Sequence, residues 1–353
     1  MDNHKENDGC APMRRRNFLF FFVVAIATIY KEFSIQAFQC LLLKAIALFN
    51  YLNYPGSSEN VPSYSLPDNQ PLPDIPVIAN PPAKPMTFQQ VSPTNQPVTV
   101  TYKTLAGVSF YQTTIDLTEP KNLITIGLAN NAQQANSSRL TNGEELFENM
   151  VARYRAVVVA NGTFFSTDRQ KRVMGNMVAG GKFLKYRPWE NYGTTLGLKA
   201  GNQPEMITAR TEGKPQWQEH WFSLTCGPRL LKQGKIWLAP RSEGFRDPAV
   251  LDIAYRTAVG FTADKTQLFL VAFMAPLSLE EEAKLMKSLG CFEAMNLDGG
   301  SSEALAYQGN VLISPQRKLT NTIVVYDRFK PAPKSLKTSW QQFQMGDRPA
   351  IPQ

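Results

Sequence analysis

A chain of 353 residues with 43% hydrophobic side chains has room for one large domain or two, and enough apolar material for an ordinary core. Its formal charge of +8 comes from 37 basic and 29 acidic residues, scattered apart from Arg14–Arg16. With no long basic run and no zinc-finger spacing, nucleic acid is not an expected partner.

Only two histidines occur, His4 in a polar leader and His220 in a half-buried structural setting, so chemistry falls to carboxylates and arginines rather than to a histidine triad or a histidine-rich metal site. The four cysteines, Cys10, Cys40, Cys226 and Cys291, form no C-x-x-C pair, which argues against a cysteine zinc site. Cys226 and Cys291 read as two free buried thiols in preference to a disulfide. No metal and no cofactor is expected.

In chain order, residues 1–54 are predicted to be a signal or signal-anchor segment. Polar residues end in Arg14–Arg16, and the run Phe18 to Tyr30 is then uninterrupted and apolar. That is short for a span, which needs about 20 residues, and fits a signal-peptide core. A second apolar stretch, Phe38 to Leu52, is interrupted by Lys44 and keeps an uncleaved anchor open. Arginines ahead of the apolar run favour a cytoplasmic N-terminus and an extracytoplasmic remainder. The expected location is therefore membrane-anchored outside the cytoplasm, or secreted if the segment is cleaved. Residues 55–97 hold eleven prolines among polar side chains and read as an extended tether.

A globular domain is expected over 98–330. Alternation predicts strands over 98–105 and 107–111, and apolar runs predict them over 123–128, 156–160, 268–273 and 322–326. Thr141-Asn142-Gly143-Glu144 has capping-box spacing ahead of helically spaced Leu146, Phe147, Met150, Val151 and Tyr154. Ser278-Leu279-Glu280-Glu281 is a second capping box for a helix that ends at Gly290. Residues 331–353 read as a polar tail. Strands outnumber helices, so the fold class is α+β, a mixed β-sheet core with a few packed helices.

The stretch that organises the domain is Asn296-Leu297-Asp298-Gly299-Gly300-Ser301-Ser302. A short buried strand delivers Asn296 and Asp298 to one face while Leu297 points the other way. The glycine N–H groups, with Ser301 and Ser302, would form an anion-binding concavity beside Asp298. Taken alone, the same residues are also an ordinary turn. Earlier in the chain the strand over 156–160 likewise ends in a polar residue and a glycine, Asn161-Gly162.

Four segments in order, Asn161-Gly162-Thr163-Phe164-Phe165, Cys226-Gly227-Pro228-Arg229, Arg256-Thr257-Ala258-Val259-Gly260 and Asn296 to Ser302, together resemble the phosphodiester glycosidase family. The resemblance covers roughly 98–328, and Asn321-Thr322 after Arg317 looks like the family's closing polar segment. Two positions depart from the family pattern. Thr163 stands where a second glycine is usual, and Ser301 where a third glycine is frequent.

The resemblance implies hydrolysis of a sugar-1-phosphodiester, such as an α-N-acetylglucosamine 1-phosphodiester, in envelope or extracellular glycans. The partners implied are a phosphorylated glycan and, through the N-terminal segment, a membrane. A phosphomonoester leaves as a stable anion, so one carboxylate plus phosphate-binding cations would serve where ordinary glycosidases use two carboxylates. Asp298 is then the candidate base, nucleophile or stabiliser of oxocarbenium charge. Asn296 and Asn161 would bind sugar hydroxyls or orient Asp298, and Gly162 belongs to the same turn as Asn161. Arg256 would grip phosphate through its planar fork, with Arg229 as a second cation. Gly299, Gly300, Ser301 and Ser302 would complete the anion site, and Thr257 would lend a hydroxyl. Two other readings use the same residues: a non-catalytic binding module for phosphorylated glycans, and a metal-dependent phosphodiesterase with Asp298 and Asp264 as ligands.

Overall fold

The computed structural model describes residues 96–352. The segment 1–54 and nearly all of the tether 55–97 lie outside these residues. Among the described residues no helix is long and apolar enough to cross a membrane.

Strands β1 (Val98–Leu105), β2 (Val108–Asp116) and β3 (Leu123–Leu128) come first, followed by helix α1 (Phe147–Tyr154) and β4 (Val158–Asn161). Next are β5 (Met177–Ala179), β6 (Lys182–Lys185), β7 (Thr194–Lys199), β8 (Gln203–Thr208), β9 (Phe222–Cys226), β10 (Arg229–Lys232) and β11 (Lys235–Ile236). The long pair β12 (Ala254–Phe261) and β13 (Gln267–Leu277) precedes α2 (Leu279–Ser288) and β14 (Glu293–Asn296). The chain closes with β15 (Leu305–Tyr307), β16 (Asn310–Ile313), β17 (Asn321–Tyr326) and α3 (Lys334–Gln344).

These strands make three sheets: a seven-stranded sheet ordered β1-β2-β13-β12-β14-β10-β11, and two five-stranded sheets, β16-β15-β4-β17-β3 and β6-β5-β9-β7-β8. The α+β class expected from the sequence holds. The sheets are more uniform than the mixed arrangement expected, because every ladder among the described residues is antiparallel. Hairpins such as β1–β2, paired from Val98↔Ile115 to Leu105↔Val108, need only tight turns, whereas parallel pairs need long crossovers.

One large apolar cluster joins the three sheets, with Leu224, Val259, Leu297 and Val324 at or below 2% exposure. A smaller cluster lies under α2, where Leu279, Ala283 and Met286 meet Phe110 and Phe273. A fully buried side chain of this size contributes roughly 1.5–3 kcal/mol. The Ser278 box forms as the sequence predicts, with the Ser278 hydroxyl accepting from Glu281 N–H and the Glu281 carboxylate accepting from Ser278 N–H.

The Thr141 box does not form. The Asn142 N–H goes to the Asn136 side chain, Glu145 pairs with Leu319 as an extended residue, and α1 begins only at Phe147 with Leu146 exposed at its start. The expected polar tail also differs. α3 buries Trp340 and Phe343, and Trp340 meets Trp221 edge-on at 5.1 Å.

Candidate active site

The end of β14 in the seven-stranded sheet lies against the end of β4 in the neighbouring sheet. Asn296 is the last residue of β14 and Asn161 the last of β4. The Asp298 N–H donates to the Gly162 carbonyl at 3.2 Å, so the two strand ends are joined through the main chain. The Leu297 N–H donates to the Thr257 carbonyl at 2.7 Å, tying the same turn to β12.

Around this junction is a cavity of about 530 Å³, within the size range of small-molecule sites. Asp298, Gly299, Gly300, Ser301, Asn296 and Arg256 all line it, and so does Arg317. The two glycines serve different ends. A Cβ on Gly299 would lie 2.3 Å from the Tyr255 carbonyl oxygen, so only glycine lets the turn approach β12. Gly300 has φ +58°, a conformation that glycine adopts without strain.

Asp298 is buried, and its carboxyl is held above the usual range, chiefly by desolvation. Arg317 and the Ser302 hydroxyl oppose that shift. The Arg317 Nη2 donates to Asp298 Oδ2 at 3.0 Å, its Nε donates to Ser302 Oγ at 2.6 Å, and its guanidinium lies 4.1 Å from the centre of the Phe165 ring. Phe165 is thus a flat rest beneath the arginine. Nη1 of Arg317 makes no hydrogen bond among the described residues.

Asn161 and Thr257 act from behind. Asn161 Nδ2 and the Thr257 hydroxyl both donate to the Asp298 main-chain carbonyl, the latter at 2.9 Å, and Asn161 Nδ2 also reaches Thr257 Oγ1 at 2.9 Å. Neither lines the large cavity. Their geometry fits orientation of the Asp298 backbone and leaves no direct path to a sugar hydroxyl. Ser302 and Gly162 are likewise outside the lining, while Ser301 is in it.

Arg256 is almost fully buried and largely saturated by main-chain oxygens. Nε donates to Leu277 at 2.9 Å, and Nη2 to Val250 at 3.1 Å and to Asp252. Its Nη1 leans toward Asn296 Oδ1 at 3.5 Å, on the cavity side. Behind it stands Glu282, 3.7 Å from Nε, completely buried and without a hydrogen bond to either carboxylate oxygen among the described residues. Burial pushes the Glu282 carboxyl up to about 8.

Arg229 is placed elsewhere. Its guanidinium pairs with Glu212 at 2.6 Å and with Glu293, and donates to the Leu231 carbonyl at 3.0 Å. It does not line the cavity. The cation the structure puts beside Asp298 is Arg317, which arrives from the loop between β16 and β17 and which the sequence offered only as a neighbour of Asn321-Thr322, with no role assigned. Asp264 is also remote. It closes the exposed hairpin turn between β12 and β13, beyond the opposite end of β12 from Arg256, so it does not join Asp298. His220 is fully buried and contacts Glu205 at 2.7 Å. Cys226 and Cys291 are free and buried, each thiol pushed up to about 12 by desolvation.

The sequence model of the phosphodiester glycosidase family matches residues 154–326, which include every strand end described above. Residues 154–326 thus carry a phosphodiester-glycosidase-like fold. Solved structures repeat the fold. A hypothetical protein from Synechocystis matches with TM-score 0.51 at 19% identity, over 65% of this chain and 62% of its own length. The catalytic domain of zebrafish N-acetylglucosamine-1-phosphodiester alpha-N-acetylglucosaminidase, auto-inhibited by its pro-peptide, matches with TM-score 0.51 at 18% identity, over 67% of this chain and 85% of its own. The chain thus spans less than two thirds of the Synechocystis protein. No curated protein matches in sequence.

Of the two departures from the family pattern, only one touches the cavity. Thr163 turns inward, its hydroxyl donating to the Thr225 carbonyl at 2.5 Å and its N–H to Asn321 at 2.8 Å. Ser301 lines the cavity, so that substitution alters a surface a ligand would meet.

Proposed function

We propose that this protein hydrolyses glycosyl 1-phosphodiesters, with α-N-acetylglucosamine 1-phosphodiesters as the first class to test. The observation that carries this reading is the Asp298–Arg317 pair at the floor of the cavity: a desolvated carboxyl with a guanidinium 3.0 Å away. Water adds to the anomeric carbon, the bond from that carbon to the phosphate oxygen breaks, and the phosphomonoester leaves with the electron pair. Asp298 faces the anomeric centre, where it accepts the proton of the attacking water or balances the developing oxocarbenium charge. Arg317, through Nη1, and the backbone N–H groups of the Gly299–Ser301 turn receive the leaving phosphate. Arg256 adds positive charge from the wall, and Asn296, whose amide nitrogen donates to the Gly227 and Leu297 carbonyls, steadies Arg256 through Oδ1. Asn161 and Thr257 hold Asp298 in place.

A module built only to hold phosphorylated glycans fits less well. A carboxylate at the centre of an anion cradle weakens anion affinity, and a hydrolase has a use for it. We further propose that the domain acts on envelope or extracellular glycans, since the basic and apolar pattern of residues 14–52 matches an export signal or anchor. The test is incubation of the full chain with a panel of sugar-1-phosphodiesters, read as free reducing sugar. Turnover that depends on the sugar and on its anomeric configuration supports hydrolysis. Tight binding with no turnover of any member favours the binding module.

A further inference from the structure

A second cavity, of about 280 Å³, adjoins the first. The two share Met174, and a small hairpin divides them. In that hairpin Ser166 N–H donates to the Arg172 carbonyl at 2.9 Å, Met174 N–H donates to the Phe164 carbonyl at 2.8 Å, and Phe165 bridges Val173. Phe164, Phe165 and Thr167 line the first cavity, while Ser166, Arg172 and Val173 line the second.

The second cavity is cationic. Arg172, Lys185 and Arg187 line it against a single carboxylate, Glu190, and three serine hydroxyls complete the polar wall. The Lys185 side chain is 8% exposed, and its ammonium donates to the Gly175 carbonyl at 2.9 Å and to Glu190 at 3.2 Å. Burial lowers its pKa and Glu190 opposes the shift, so this lysine is already committed. The two arginines are different. Arg187 donates through Nη2 to the neutral Ser138 hydroxyl at 2.5 Å, and its guanidinium lies 5.7 Å from the ring of the exposed Trp189. Arg172 gives one nitrogen to Asp168 at 2.9 Å and remains 49% exposed. The proposed reaction has no use for this group of charges.

We infer that the second cavity is an anion subsite for the group beyond the scissile phosphate. On this reading, the preferred substrates are glycosyl phosphodiesters whose aglycone carries a second anionic group, a phosphate or a carboxylate. The inference rests on the phosphodiester reading of the first cavity. A substrate whose sugar faces Asp298 would pass its aglycone over Met174, and a planar guanidinium fork such as that of Arg187 or Arg172 matches either anion through paired hydrogen bonds.

The test uses the full chain and α-N-acetylglucosamine 1-phosphodiesters of alkyl chains that end in hydroxyl, carboxylate or phosphate, in a series of chain lengths. Both kcat/KM and calorimetric affinity are measured. The expected result is a preference of about tenfold or more for an anionic end over the hydroxyl end at the best length, weakened by salt. In Arg172→Ala/Arg187→Ala that ratio falls to near one. A preference for phosphate alone or for carboxylate alone identifies the source of the anion. An equal response to all three ends in the wild type, or a ratio unchanged in the double variant, overturns the subsite. Absence of turnover for every compound overturns the hydrolase reading, while the affinity ratio still decides the subsite; no binding of any compound overturns both.

Discussion

Two arginines of this domain separate by their surroundings: Arg229, a phosphate candidate from the sequence that begins β10, and Arg317, which lies in the loop between β16 and β17 and was not among those candidates. Arg229 begins β10 inside a closed box. Glu212 and Glu293 pair with its guanidinium, and the Glu243 carboxylate accepts its main-chain N–H at 2.8 Å. Its charge is consumed within the protein. Arg317 instead reaches a cavity wall, shares one carboxylate, rests on an aromatic ring and keeps Nη1 available to a ligand. The lesson is that a buried arginine speaks for function only when its partners fall short of its charge and donors. Buried pairs whose members are all satisfied are matters of folding.

The contrast can be broken at its strongest point first. Asp298→Asn is expected to lower kcat by about 10⁴-fold, near the upper range for loss of an acid–base group, with the thermal unfolding midpoint little changed. Full activity in this variant would remove Asp298 from the chemistry. Arg229→Ala leaves Glu293 without its ion-pair partner, while Glu212 keeps Lys232, and is expected to destabilise the fold by about 3–5 kcal/mol, read by urea titration. A folded, normally stable Arg229→Ala enzyme with selectively lost activity would reverse the assignment.

Arg317→Ala is expected to cut kcat/KM by about 100-fold, a scale typical of one lost transition-state donor, with a smaller loss of stability than Arg229→Ala, because Asp298 loses its cation but keeps the Ser302 hydroxyl. Arg317→Lys should recover only part of that loss, because a point charge cannot reach Asp298, Ser302 and phosphate together. The smallest effect concerns Glu282 behind Arg256. Its folded carboxyl titrates at about 8, above the ordinary 4.5, so the folded state holds this proton more tightly than the unfolded chain. Its contribution to stability is full below the ordinary value and declines as pH rises toward about 8. Glu303, also raised to about 8, and Glu243, raised to about 7, act in the same sense. Glu282→Gln should therefore flatten the fall of the urea midpoint between pH 5 and pH 8, by about 1 kcal/mol or more over that window. An unchanged slope would show that Glu282 is not titrating there.

Local signals were readable in the sequence where they are decided locally. The apolar run over 123–128 is β3 to the residue, and Ser278 with Glu281 caps α2. The Thr141 pattern misled because Asn136, which is distant from it in helical terms, takes the Asn142 N–H and holds the segment extended. Residues 331–353 looked polar on average, yet Trp340 and Phe343 lie three apart and supply a helix face that packs on Trp221.

The site divides in the same way. The turn from Asn296 to Ser301 is contiguous and could be read as a unit. Arg317 is brought to Asp298 by sheet topology and carries no motif of its own. Arg229 was misjudged because the glutamates that claim it come from elsewhere in the chain, 17 and 64 residues away.

Asp298 belongs to a turn leaving the seven-stranded sheet, and Arg317 to a loop of the sheet beside it. Their ion pair is therefore a stitch across a seam. Leu297 and Ile323 both belong to the apolar cluster that the sheets share, so packing in that cluster bears on the spacing of the two opposite charges. On the function proposed above, the rate of hydrolysis gauges sheet alignment and is open to tuning from the interior of the protein.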